Sequence, residues 1–138
     1  MKKLTLFITG FFCCGATWGQ GYFPGIEWAR CYGSSENEDA VDIKQTFDGG
    51  YIVLGKSAAT DGDLINAPFG NKTWIFKLDV AGDIEWQQYL VNVTSAKNIV
   101  QTTDSGYIIS GSLLTKLTPN GQIDWQYNHP QLICNTGV

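Results

Sequence analysis

Ala40-Val-Asp-Ile-Lys-Gln-Thr-Phe-Asp-Gly-Gly-Tyr-Ile-Val-Leu-Gly55 aligns without a gap to Ala96-Lys-Asn-Ile-Val-Gln-Thr-Thr-Asp-Ser-Gly-Tyr-Ile-Ile-Ser-Gly111, and nine of the sixteen positions are identical. Self-similarity of this kind marks a fold built from repeated supersecondary units. The match continues downstream. Lys77-Leu78, Gly82, Ile84 and Trp86 correspond to Lys116-Leu117, Gly121, Ile123 and Trp125, at an offset of 39 where the first match is offset by 56. The second unit therefore lacks seventeen residues of one loop. Gly25-Ile-Glu-Trp28 is a third copy of the closing phrase, without the earlier part of its own unit.

Each unit reads as four short strands. Val41 and Ile43 alternate with Asp42 and Lys44, the period-2 pattern of a half-exposed strand, which stops at Asp48-Gly-Gly50. Tyr51-Ile-Val-Leu54 is apolar without alternation, as in a strand covered on both faces. Trp74, Phe76 and Leu78 face one way and Ile75 and Lys77 the other, before Asp79-Val-Ala-Gly82 turns the chain into a last strand carrying Trp86. A four-stranded antiparallel sheet repeated along a chain, with a tryptophan closing each copy, is the pattern of propeller blades. The expected class is all-β: antiparallel four-stranded blade-like repeats in a partial or open β-propeller, or an open β-sandwich of two units. Propellers close with about four to eight blades, so this chain needs either further blades or further copies of itself to form a ring.

The N-terminus reads as an export signal. Met1-Lys-Lys3 is followed by an apolar run from Leu4 to Cys14 and small residues around Gly15, Ala16 and Gly19. Eleven helical residues rise about 16 Å, short of the ~30 Å hydrocarbon core, so the run is not a membrane span. Cleavage after Gly19 fits the small residues Thr17 and Gly19. The mature chain then carries seven basic residues against thirteen acidic ones, and such a surface repels phosphate backbones, which argues against nucleic acid as a partner. Cys13 and Cys14 leave with the leader. Cys31 and Cys134 remain for an oxidising compartment, either paired or as two thiols, since geometry decides between them. The expected organisation is a leader at 1–19, a closing strand and linker at 20–38, repeat units at 39–90 and 91–128, and a tail at 129–138.

The repeat also filters chemistry. Residues at equivalent positions in both units are expected to serve folding, whereas functional residues belong where the units differ. Asp48 and Asp104, Tyr51 and Tyr107, and Trp28, Trp86 and Trp125 are repeat positions. Glu27, Glu85 and Asp124 each precede a closing tryptophan, which favours a structural role over a glycosidase-type carboxylate pair. The main asymmetry is the loop between Lys56 and Thr73. Its Asp61-Gly-Asp63 offers two carboxylates to a hard cation such as Ca²⁺, but Ile65 stands where the next ligand belongs. His129, the one histidine, follows the last strand beside Pro130, and no Gly-x-Ser-x-Gly elbow exists for a nucleophile. No catalytic centre and no cofactor site is expected.

Two resemblances follow from these motifs. Asp79-x-x-Gly82-x-x-x-Trp86 resembles the tryptophan-docking motif of quinoprotein-type propellers, one residue shorter between Asp and Gly. More extensively, Trp28, Tyr32-Gly-Ser34, Ala40, Ile43, Thr46, Asp48-Gly-Gly-Tyr-Ile52, Asp61-Gly-Asp63, Trp74, Lys77-Leu-Asp79 and Gly82-x-Ile84-x-Trp86 resemble, in order, the unit of a family of secreted Bacteroidota repeat proteins. That resemblance implies propeller-like exported proteins, often type IX secretion substrates, mostly without an assigned activity. The second unit departs from it, reading Tyr89-Leu-Val-Asn92 where the Tyr-Gly-Gly-Ser phrase belongs. The expected function is that of a secreted or cell-surface, non-enzymatic interaction module. The alternatives are a carbohydrate-binding lectin using its tryptophans, and part of a larger propeller protein or enzyme.

Overall fold

The computed structural model describes residues 4–9, 26–93 and 95–128. Of the expected leader, only Leu4–Thr9 falls within them, and Cys134, His129 and the tail lie outside. The described chain is almost entirely strand. A two-stranded pair joins β1 (Leu4–Thr9) to β2 (Ile26–Tyr32), followed by two four-stranded antiparallel sheets. The first sheet takes β3 (Asp39–Gln45), β4 (Tyr51–Ser57), β5 (Lys72–Leu78) and β6 (Ile84–Leu90) in sequence order. The second takes β7 (Asn98–Gln101), β8 (Tyr107–Ser110), β9 (Leu114–Leu117) and β10 (Ile123–Tyr127), also in order. One 3-10 turn at Gly62–Leu64 is the sole helical element among the described residues, and no described helix is long and apolar enough to cross a membrane. The described strands close into no barrel.

The two sheets stack face to face, and the first is covered on both sides. On one side Ile52, Leu54, Ile75 and Leu90 meet Ile99, Tyr107, Ile109 and Leu117 of the second sheet. On the other, Val53, Trp74, Phe76 and Leu78 form a separate cluster with Tyr32, and with Trp28 packed at its margin. This two-sided cover explains the non-alternating run from Ile52 to Leu54, each less than 2% exposed. It also explains why all seven residues of β5 are buried, two lysines included.

Register repeats as closely as sequence does. Trp86 lies opposite Lys77 and Ile84 opposite Leu78, across a bulge. Trp125 lies opposite Lys116 and Ile123 opposite Leu117, again across a bulge. Trp28 lies opposite Ile8 and Ile26 opposite Thr9, with the bulge at the same place. β1 thus stands beside β2 as β5 stands beside β6, in the position of the third strand of a unit.

Trp28 and Trp86 each lie against the sheet that follows. The indole of Trp28 sits over the Gly82 turn, edge-on to Tyr51 at 6.0 Å between ring centroids, with Nε1 donating to the carbonyl of Val80 at 3.1 Å. Trp86 sits over the Gly121 turn, edge-on to Tyr107 at 5.7 Å. Both glycines have positive φ, +83° and +78°, and a Cβ on Gly121 would fall 2.5 Å from the indole. The turn thus requires glycine for its backbone and again for the ring above it. Trp125 is 42% exposed.

Trp86 and Trp125 should separate cleanly in denaturant titrations. Trp86→Ala is expected to cost about 2–3 kcal/mol, below the range for a fully buried aromatic, and Trp125→Ala to stay within about 0.5 kcal/mol of the parent.

Candidate functional site

The residues with the strongest chemical appearance meet in a lysine-centred network that occurs once per sheet. Lys77, 3% exposed, donates to the carbonyl of Leu78 at 3.0 Å and pairs with Asp48 and Glu85, each at 2.8 Å. Asp48 in turn accepts from the Thr46 hydroxyl and from the N–H of Gly50 at 3.1 Å. Lys116 repeats the arrangement, reaching Leu117 O at 3.1 Å, Asp104 at 3.0 Å and Thr102 Oγ1 at 3.0 Å, while Asp104 accepts from the Thr102 hydroxyl and the Gly106 N–H. A Cβ at Gly50 would stand 2.2 Å from Leu78 O, and one at Gly106 would stand 2.1 Å from Lys116 Nζ. The second glycine of the Asp-Gly-Gly-Tyr phrase is therefore required by the lysine passing beside it. The first is not, since Ser105 takes its positive φ in the second sheet.

Electrostatics agree with a structural role. Hydrogen bonds from Lys77 and Thr46 hold the Asp48 carboxyl down at about 2, and those from Thr102 and Lys116 hold Asp104 down at about 2. Burial works to lower the Lys77 value, but the carboxylates of Asp48 and Glu85 outweigh it and leave the ammonium above its ordinary value. The two sheets differ at the residue before the closing tryptophan: Glu85 reaches the lysine, whereas Lys116 is held by Asp104 and Thr102. A groove of about 300 Å³ opens between the sheets beside Asp48, Lys77, Glu85, Trp86 and Tyr107. Its charged groups are already committed to one another.

The unit-specific loop closes on β2. Asp63 Oδ2 accepts from the N–H of Gly33 at 2.8 Å, Asp63 N donates to Gly33 O at 3.0 Å, and Asp61 Oδ1 accepts from Ser35 N at 3.3 Å. Gly62, at φ +62°, lies so near that a Cβ would be 2.4 Å from Gly33 O. The Tyr32-Gly-Ser34 and Asp61-Gly-Asp63 phrases are thus two halves of one clasp. The second unit departs from the first phrase and lacks the loop that carries the second. Leu64 and Ala67 anchor the loop in the core. Among the described residues, no group of three or more His, Cys, Asp or Glu is placed to hold a metal ion.

A buried carboxylate completes this end of the first sheet. Glu38 accepts from Ser34 N at 3.2 Å, from the Ser34 hydroxyl and from Ser57 Oγ at 3.2 Å. Lys72, 2% exposed, donates to Ala59 O at 2.7 Å and Gly70 O at 3.0 Å, and burial lowers its ammonium below the ordinary value. Beside them opens a polar cleft of about 320 Å³, lined by Asn37, Asp39, Lys56, Ser57, Asn71 and Lys72, with no aromatic ring in its wall. Cys31 is exposed on β2. Glu27 and Asp124 are exposed at the strand edges. Trp74, which has no repeat counterpart in the second unit, is 1% exposed and donates to Gln87 Oε1 at 3.0 Å.

What remains uncommitted is a surface. Cross-strand register sets Val100, Ile108, Lys116 and Trp125 side by side across the outward face of the second sheet. Val100 and Trp125 are each 42% exposed, Leu114 38% and Tyr127 55%. The corresponding row of the first sheet is Lys44, Ile52, Lys77 and Trp86, and there Ile52 is fully buried beneath the second sheet. A search of family models, curated proteins and solved structures finds no match to the chain.

Depressed carboxyl values carry a direct consequence for stability. A group whose folded value lies below its unfolded value stabilises at pH above the unfolded value, and that contribution fades as pH falls through the folded value. For Asp48 and Asp104 the window runs from about 4 down to about 2. Thermal midpoints of the parent should fall across it, and an Asp48→Asn/Asp104→Asn variant should show a visibly shallower dependence.

Proposed function

We propose that this chain is an exported, non-catalytic interaction protein built from propeller-like blades of the kind it resembles among secreted Bacteroidota repeat proteins. One observation carries the reading: Lys77, Lys116, Asp48, Asp104 and Asp63 hold strands and loops together, while an aromatic and aliphatic sheet face stays open to solvent around Trp125. Catalysis needs an acid, base or nucleophile aimed at open space with a tuned protonation state. Asp48 and Asp104, whose carboxyls are held well below the usual range, are instead paired with Lys77 and Lys116. Exposed apolar patches on a soluble domain mark interaction sites, and this one is rimmed by the charged groups Asp104 and Asp124.

Export rests on the leader-like N-terminus. Cleavage after Gly19 removes Leu4–Thr9 and uncovers the backbone edge of β2, the edge that a third strand occupies in each complete sheet. An open edge invites strand pairing, so the exported form carries two surfaces for assembly, one at each end of the stack.

Fractionation of the native host, with intact mass measured on the purified chain, tests the reading. The expected product is extracellular or surface-bound and begins at Gln20, and a Trp125→Arg form keeps its far-UV spectrum and thermal midpoint while losing surface retention. A cytosolic product that still begins at Met1 would contradict export. Unchanged retention of Trp125→Arg would contradict the interaction surface.

A further inference from the structure

We propose that the polar cleft beside Lys72 binds a small hydroxylated monocarboxylate, of the size and chemistry of a single sugar acid, through the ammonium groups of Lys72 and Lys56. Its walls belong to the first sheet and the loops beside it, whereas Trp125 stands on the second. This site therefore goes beyond the interaction-module reading and does not depend on it.

Three lysines are buried among the described residues: Lys72 is 2%, Lys77 3% and Lys116 7% exposed. Each is anchored on backbone carbonyls, Lys72 on Ala59 O and Gly70 O, Lys77 on Leu78 O and Lys116 on Leu117 O. Lys77 and Lys116 also hold carboxylates, at 2.8 and 3.0 Å. Lys72 holds none. All thirteen Asp and Glu residues of the sequence lie among the described ones, and not one forms an ion pair with Lys72. An ammonium has three donors, and two of those on Lys72 are taken. A buried cation without a counter-ion is costly, and burial lowers this one below its ordinary value. A ligand carboxylate supplies the contact that Asp48 and Asp104 supply to the other two lysines.

The surrounding wall selects what accompanies that carboxylate. At about 320 Å³ the cleft stands near the lower end of the ~300–1,000 Å³ typical of small-ligand sites, which gives room for one ring or a short acid. Lys56 on β4 lies opposite Asp39 on β3 in the register. It forms no ion pair among the described residues, so its ammonium is open to a ligand. Asn37 and Asn71 are exposed at the cleft, and amide groups suit hydroxyls because they both donate and accept. Charge sets the limit. Two lysines against Asp39 leave the wall with one net positive charge, while Glu36 and Glu38 lie near enough to act on Lys72. One negative charge is favoured there and a second is repelled.

None of these groups recurs in the second unit. Gly55 aligns with Gly111 and Thr73 with Ser112, so residues 56–72, which carry Lys56, Asn71 and Lys72, have no counterpart. Asn37 and Asp39 correspond to Val93 and Ser95. The lysine networks that tie the sheets are shared by both units, and the cleft is not.

The purified full chain, titrated with sodium glucuronate at fixed ionic strength and followed by ¹H–¹⁵N spectra and thermal midpoint, tests the site. Saturable shifts at the amides of Ser57, Ala58, Asn71 and Lys72, with a rise in midpoint, are expected. Glucose, which lacks the carboxylate, and glucose 6-phosphate, which carries a second negative charge, should each bind severalfold more weakly. Lys56→Gln leaves the buried lysine in place and should weaken glucuronate severalfold, and Lys72→Met, where it folds, should abolish the response. Trp125→Arg should bind glucuronate as the parent does, so failure of the interaction surface and failure of this cleft are separate outcomes. Three results would overturn the proposal: no saturable response to glucuronate, glucose or glucose 6-phosphate binding at least as tightly, or undiminished binding by Lys56→Gln.

Discussion

An indole ring lying on a glycine turn is the contact from which the stacking of this molecule follows. A β-sheet with two apolar faces is not stable alone, because each uncovered face leaves hydrophobic area in water at roughly 25 cal/mol per Å². Stacking removes that cost only if neighbouring sheets agree on orientation. The tryptophan at the end of one unit and the Gly82 or Gly121 turn of the next supply that agreement, since a large flat ring fits only where no Cβ stands. The edge-on tyrosine then fixes the rotation of the ring, adding about 0.5–1.5 kcal/mol beyond area burial.

Within each sheet, a buried lysine does the corresponding work. Lys77 and Lys116 lie on the third strand and reach the turn between the first two, so a single ammonium ties three strands to one corner. A buried cation is costly unless paired and fully hydrogen-bonded, and both meet that condition through a carboxylate and a backbone carbonyl. The geometry explains why Thr, Asp, Gly and Lys recur together at matched spacing: Thr46 and Thr102 hold the carboxylate, Gly50 and Gly106 make room, and Asp48 and Asp104 neutralise. The recurring Thr, Asp, Gly and Lys thus form one strand-tying device in each sheet.

Strand positions were legible because they are local. Alternation over Val41–Lys44, the unbroken run at Ile52–Leu54 and the Asp79–Gly82 turn each depend on a few neighbouring residues, and the strands and turns lie where those patterns put them. Long-range closures were not legible. Asp61 and Asp63 read as two carboxylates spaced for a cation, yet their oxygens accept N–H groups from Gly33 and Ser35, about thirty residues away in sequence. A loss shared by both phrases in the second unit was the available signal, since a clasp discards both halves at once. The tryptophans illustrate the same limit. Trp28, Trp86 and Trp125 have one sequence signature, and only the presence of a neighbouring sheet makes two of them half-buried and the third exposed.

Stacking of this kind requires the closing tryptophan and the next sheet to be energetically coupled. A double-mutant cycle between Trp86→Ala and Tyr107→Leu, measured by urea denaturation, isolates that term from the area each side chain buries separately. A coupling energy of about 0.5–1.5 kcal/mol is predicted for an edge-on aromatic pair at 5.7 Å. Free energies that simply add, as they do for distant independent sites, would contradict it.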